Sequence, residues 1–113
     1  MKDFILLFRN DSEMQAGRSP EDAKAMTQRW MDWIGGIAAK GQLTDRGNRL
    51  AHSGRVLRDK NIVTNGPYSE IKESIAGYSI VKADSYEAAV ALAENCPVFL
   101  SGGSVEIREI SLL

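Results

Sequence analysis

Residues 4–8 read Phe-Ile-Leu-Leu-Phe, with Asp3 ahead of them and Arg9-Asn10-Asp11 behind. The run is far shorter than the ~20 apolar residues of a membrane span, and it reads as a strand. Side chains alternate along a strand, so Phe4, Leu6 and Phe8 line one face while Ile5 and Leu7 line the other. A strand that is apolar on both faces needs cover on both. Helices of the same chain can supply one cover. A chain of 113 residues is the length of one domain with a single core, so we read residues 1–113 as one domain. The second cover is then expected from an identical copy.

The clearest helix is "SPEDAKAMTQRWMDWIGGIAAKG". Ser19 suits the N-cap, Pro20 the first helical position, and Glu21 and Asp22 the positive end of the dipole. Ala23, Met26, Trp30, Trp33, Ile34, Ile37 and Ala38 recur at steps of three and four, the spacing of one buried face. Gly41 is expected to end the helix in a left-handed conformation. Gly35-Gly36 sits inside it at about 1 kcal/mol per residue against alanine, which predicts close approach of another backbone, or a bend.

From Leu43 to Val63 the pattern predicts a small meander, "QLTDRGNRLAH", "GRVLR" and "NIVTN", with Ser53-Gly54 and Asp59-Lys60 as turn residues. A polar loop, "TNGPYSEIKES", leads into a strand at Ile75–Ala83. Ser85 caps a second helix with Tyr86, Ala89, Val90 and Ala93 on its apolar face, and Pro97 stops it. "PVFLSGGS" reads as a flexible connection. In the final strand Val105 and Ile107 alternate with Glu106 and Arg108, one face buried and one wetter. The order strand, helix, meander, strand, helix, strand predicts an α+β ferredoxin-like sandwich. It has an antiparallel sheet, two helices on one face and an inserted β meander.

Composition narrows the function. Apolar residues make up 43% and charged residues 26%, with a net charge of −1 and the two signs interspersed. That is an ordinary globular balance without the basic footprint of nucleic-acid binding. No run spans a bilayer, and the N-terminus lacks the core of a secretory signal. One cysteine, Cys96, cannot form an internal disulfide, which fits a cytoplasmic location. With one Cys and one His, His52, no metal site of the Cys/His kind is expected. No motif calls for a cofactor.

"NGPYSEIKESIAGYSIV", followed by "SYEAAVALAENCP" and "GGSVEIREI", resembles the YCII-related superfamily, in the branch known for its DGPF motif. Gly66, Pro67, Tyr68, Glu70, Lys72 and Glu73 stand at the positions of that motif and its tail, Tyr68 replacing the commoner phenylalanine. Asn65 stands where the motif has Asp, so a carboxylate that could act as a base is replaced by an amide that does not titrate. The resemblance implies a homodimeric ferredoxin-like protein, a dimeric α/β barrel. Some relatives are encoded near, or joined to, extracytoplasmic-function sigma factors, which implies a possible regulatory partner. Others are thought to use a His–Asp pair with the His on or near the first helix. Here that helix, "MTQRWMDWIGG", has no His, and the dyad does not transfer.

Two accounts of the loop stand side by side. In the structural one, Gly66 and Pro67 make a rigid turn, and Glu70 and Lys72 are surface charges. In the functional one, the loop edges a cleft between sheet and partner that binds a small molecule near residues 65–73. Backbone N–H groups around Gly66 would receive an anion or carbonyl oxygen, beside Asn65 and Pro67. Tyr68 would offer a phenol, Glu70 or Glu73 a carboxylate and Lys72 a cation, enough for acid–base, lyase-like chemistry. Trp30 and Trp33 read first as core, with one indole, Trp30, as a possible pocket wall next to Gly35-Gly36. His52 reads as an exposed loop residue, and as a catalytic candidate if the fold brings it to the cleft. Cys96 reads as a small buried hydrophobe.

Overall fold

The computed structural model describes residues 1–10, 18–66 and 74–112. Strand β1 (Lys2–Arg9) contains the apolar run and lies between two antiparallel neighbours, β5 (Ile75–Ala83) and β6 (Ser104–Glu109). Strand β2 (Leu43–Arg49) pairs with the far edge of β5, so the sheet order is β2-β5-β1-β6. Helix α1 (Pro20–Ala39) joins β1 to β2. Helix α2 (Tyr86–Ala93) and a 3-10 turn (Pro97–Ser101) join β5 to β6. An antiparallel sheet carrying two helices in this order is ferredoxin-like. A separate hairpin, β3 (Arg55–Asp59) and β4 (Ile62–Asn65), is inserted before β5.

The expected three-strand meander is therefore corrected. Its first member belongs to the main sheet, because Leu43 pairs with Val81 and Gln42 O accepts from Lys82 N–H at 2.7 Å, satisfying the edge of β5. The hairpin pairs chiefly with itself. Leu57, Ile62 and Val63 on it are 65%, 52% and 59% exposed. The radius of gyration, 15.4 Å, exceeds the ~13 Å of a compact domain of this length, as a projecting arm requires.

Alternation along β1 divides the molecule. Phe4, Leu6 and Phe8 are buried together with Val81 and Ala83 of β5, Ile37 of α1, Ala89 of α2, and Cys96 and Val98 beyond it. Val105 and Ile107 pack on the same side, as expected from β6. Ser19 Oγ accepts from Asp22 N–H and Ser85 Oγ from Ala88 N–H, each at 3.1 Å, so both helices begin where the sequence places their caps. Gly41 follows α1 at φ +71°. The buried arc of α2 is narrower than the periodicity implies. Ala89 and Ala93 are buried, Ala88 and Leu92 half-buried, and Val90 is exposed. Small side chains let this two-turn helix lie close to the sheet, which lifts Val90 into solvent. Tyr86 sits at the rim, its ring edge-on to Phe4 and its hydroxyl accepting from Glu109 N–H at 2.8 Å. On α1, Ala23 and Ala38 are likewise exposed.

The segment after α2 is also corrected. Pro97–Ser101 is a 3-10 turn with Pro97, Val98 and Ser101 buried. It ends at Gly102, φ +71°, with Gly103 N–H donating to Val98 O. Burial of Val98 under the helices, rather than glycine content, decides the conformation here.

Gly35 and Gly36 have no close backbone neighbour: a Cβ built on either meets nothing within 4 Å. Gly47 is the opposite case. It sits at φ +79°, and a Cβ there would run into the Tyr78 carbonyl. Gly36→Ala is therefore expected to raise stability by about 0.5–1 kcal/mol. Gly47→Ala should lower it by more than that. Urea midpoints measure both, and a destabilised Gly36→Ala would contradict the open surroundings assigned to it.

Burial pushes the Cys96 thiol up to about 12, so little reactive thiolate forms near neutral pH. Iodoacetamide at pH 8 should label native protein at least about tenfold more slowly than protein in urea. Equal rates would contradict the buried placement.

Candidate functional site

Helix α1 is held over β1 by three rings. Phe8 meets Trp30 at 5.0 Å and Trp33 at 5.8 Å, the two indoles meet at 5.8 Å, and each pair is edge-to-face. Trp33 also donates its indole N–H to Leu92 O at 3.0 Å, tying α1 to α2. These rings fill the space above the centre of the sheet. Toward the β2 edge, the helix and sheet border an open cavity of about 530 Å³ instead. That is ample for a small organic molecule.

Met26, Trp30, Met31 and Ile34 of α1 form one wall. Gly35 continues it, and a Cβ there would meet nothing within 4 Å. The opposite wall is built from Gly47, Ala76, Gly77 and Ser79. A Cβ on Gly77 would stand 2.9 Å from Asn48 O, so only glycine fits that crossing. Between Asp45↔Ile80 and Asn48↔Tyr78, β2 contributes two residues opposite one of β5, a bulge. The Asp45 carboxylate accepts from Gly47 N–H at 2.7 Å, and Ser79 Oγ donates to Arg46 O at 2.6 Å, fixing its shape. The bulge brings Arg46 into the cavity lining.

Because β1 and β2 are both antiparallel to β5, their C-terminal ends lie at the same end of the sheet as the start of α1. Asn10, Arg18, Arg49 and His52 line the cavity there. Asn10 is 5% exposed, and its Oδ1 is buried with no hydrogen-bond partner, a condition costing about 1–3 kcal/mol. Arg18 donates to the Ser101 hydroxyl, a neutral partner, and makes no ion pair among the described residues. The Arg46 guanidinium makes no ion pair or hydrogen bond among the described residues. No described residue lining the cavity is an aspartate or glutamate.

Of the site residues expected from sequence, Trp30 and His52 line this cavity. Asn65 and Gly66 lie at the end of β4 and are not among its lining residues. Gly66, at φ +84°, donates its N–H to Gly54 O at 2.7 Å, closing the base of the hairpin. That donor is therefore occupied within the fold. Pro67, Tyr68, Glu70, Lys72 and Glu73 lie outside the described residues. Among the described residues no three His, Cys, Asp or Glu side chains come together as metal ligands, and no helix is long and apolar enough to cross a membrane. Sequence reasoning missed Asn10, Arg18, Arg46 and Arg49. "DRGNR" carried the one usable signal, a glycine inside a strand, which marks a bulge or a close backbone approach.

A search of curated proteins found no match. Among solved structures, the chain is similar to 5-chloro-2-hydroxyhydroquinone dehydrochlorinase (TftG) from Burkholderia phenoliruptrix AC1100, in its complex with 2,5-dihydroxybenzoquinone. The TM-score is 0.57 at 12% identity, covering 98% of this chain and 94% of that one. At that identity the likeness carries the fold alone. The profile of the YCII-related domain matches residues 4–113, and the chain belongs to that family.

Proposed function

We propose that this domain binds a small organic molecule in the cavity between α1 and the β2–β5 edge. The observation that carries the reading is the cavity itself, about 530 Å³ with Met26, Trp30 and Ile34 on one side and Gly47 and Gly77 on the other, and with open space at the Cβ position of Gly35 on its rim. A screen of metabolites by thermal shift, repeated with Gly35→Trp, tests this. The added indole would occupy the cavity without meeting other atoms at its Cβ. Hits should stabilise the parent by several degrees and the variant by less than a quarter as much. Hits that stabilise both equally would place binding elsewhere.

A catalytic reading is favoured by one observation, that the similar fold of 12% identity is a dehydrochlorinase bound to a quinone. In this chain the proton-transfer group would be His52, an exposed imidazole on the cavity lining. A screening hit consumed by the parent, and bound but not consumed by His52→Gln, would support it.

The family resemblance and the open face of the sheet support a homodimer. By alternation that face carries Ile5, Leu7, Tyr78 and Ile80, all half-buried. Around them stand the ion pairs Lys82–Asp3 at 3.2 Å and Arg9–Glu106 at 3.0 Å, an apolar centre with a polar rim. The Asp3 carboxyl is held below the usual range, first by the Thr44 hydroxyl and then by Lys82. Sedimentation should give about twice the 12.4 kDa chain mass. Ile80→Glu should give the monomer, because it would bury a charge at the centre of the interface. A monomeric parent, or a dimer indifferent to Ile80→Glu, would contradict the face-to-face arrangement.

A further inference from the structure

The two walls of the cavity differ in relief. On the sheet side, Gly47 and Gly77 leave bare peptide backbone, with Ala76 and Ser79 adding only short side chains. On the helix side stand the indole of Trp30 and the thioethers of Met26 and Met31. A flat backbone surface facing an indole makes a slot, and slots of this kind suit rings, because peptide planes and indoles both offer broad polarizable faces.

Charge is distributed as unevenly as shape. The lining residues include Arg18, Arg46 and His52, and no aspartate or glutamate among the described residues. Arg18 is bonded to a neutral hydroxyl and Arg46 to no side chain. Uncompensated guanidinium beside low-dielectric walls attracts anions, and its fork of N–H donors matches a carboxylate or a delocalised oxyanion. A third feature points to a ligand independently. Asn10, which directly follows β1, lines the cavity at 5% exposure, and its amide oxygen has no partner among the described residues. Buried polar groups are rarely left so, and a hydroxyl-bearing ligand reaching the Asn10 amide would relieve it.

We infer that the cavity takes a planar ring compound carrying an acidic oxygen, its ring in the slot between Trp30 and the glycine wall and its charge toward Arg46. The inference rests on the cavity being a small-molecule site. Arg46 steers and holds the anion, and flat faces on both walls favour planar rings over puckered ones of similar size.

Three probes separate the components: salicylate, salicylamide of nearly the same shape without charge, and cyclohexanecarboxylate, charged but puckered. NMR titration of the full chain at low salt gives the three dissociation constants. Salicylate should bind about tenfold more tightly than either of the others, a difference of about 1.4 kcal/mol. Arg46→Gln should weaken salicylate about tenfold and leave salicylamide unchanged; the Arg46 side chain is exposed and bonds to nothing described, so the fold should survive. Equal binding of salicylamide, or an Arg46→Gln variant that holds salicylate as tightly, overturns the anionic class. Equal binding of cyclohexanecarboxylate overturns planarity. Absence of binding by all three overturns the class, while the small-molecule reading still stands on the metabolite screen. Salicylate binding undiminished in Gly35→Trp overturns that reading itself.

Discussion

The contact of Phe8 with Trp30 and Trp33 sets the height of α1 above the sheet, and most of the molecule follows from it. Three large rings stacked edge-to-face occupy the gap over β1 and hold the helix away from anything smaller. Where the sheet offers only Gly47, Gly77 and Ser79, the helix cannot descend to meet it. The cavity is the volume that remains. It arises from a mismatch between an aromatic strand and a glycine-bearing edge, both fixed by the same backbone.

This origin changes where ligand binding and self-association stand relative to each other. The loop-centred expectation placed the cleft between the sheet and a partner copy. The cavity among the described residues lies on the helix side, within one chain, while the apolar face of Ile5, Leu7 and Ile80 lies on the other side. The two faces of β1 thus serve different purposes. One leads to the cavity through Phe8 and the adjoining Asn10, and the other is the face we propose a second copy covers. An added side chain at Gly35 should therefore disturb binding without touching association.

Much of the fold was legible in the sequence, because its signals are local and periodic. Ser19-Pro20 and Ser85 announce helix starts, alternation sorts Phe4, Leu6 and Phe8 from Ile5 and Leu7, and Gly41 ends α1. The errors came where partners distant in sequence decide. β2 joins β5 because edge hydrogen bonds are satisfied there, which no property of "QLTDRGN" alone reveals. Val98 turns "PVFLSGGS" into a 3-10 turn by entering the core. The cavity was barely legible: Trp30 and His52 were candidates, but Arg46 reaches the lining only through a bulge that depends on the Tyr78 carbonyl. Asn10 is an ordinary strand-end residue until the chain folds over it. The resemblance identified the family; of its motif residues, Asn65 and Gly66 belong to the hairpin base, and residues 67–73 lie outside the described ones.

The central claim is that the space beside Trp30 is a binding site, and the two tryptophans provide a built-in comparison. Trp30 lines the cavity, whereas Trp33 is turned toward α2 and bonded to Leu92. Their indole N–H resonances, assigned with Trp33→Phe, can be followed while salicylate is added to the isotope-labelled chain. The account predicts that the Trp30 signal moves to saturation while that of Trp33 stays near its starting position. A Trp33 signal that moves while Trp30 stays fixed, or two signals still unmoved once other resonances have saturated, would contradict it.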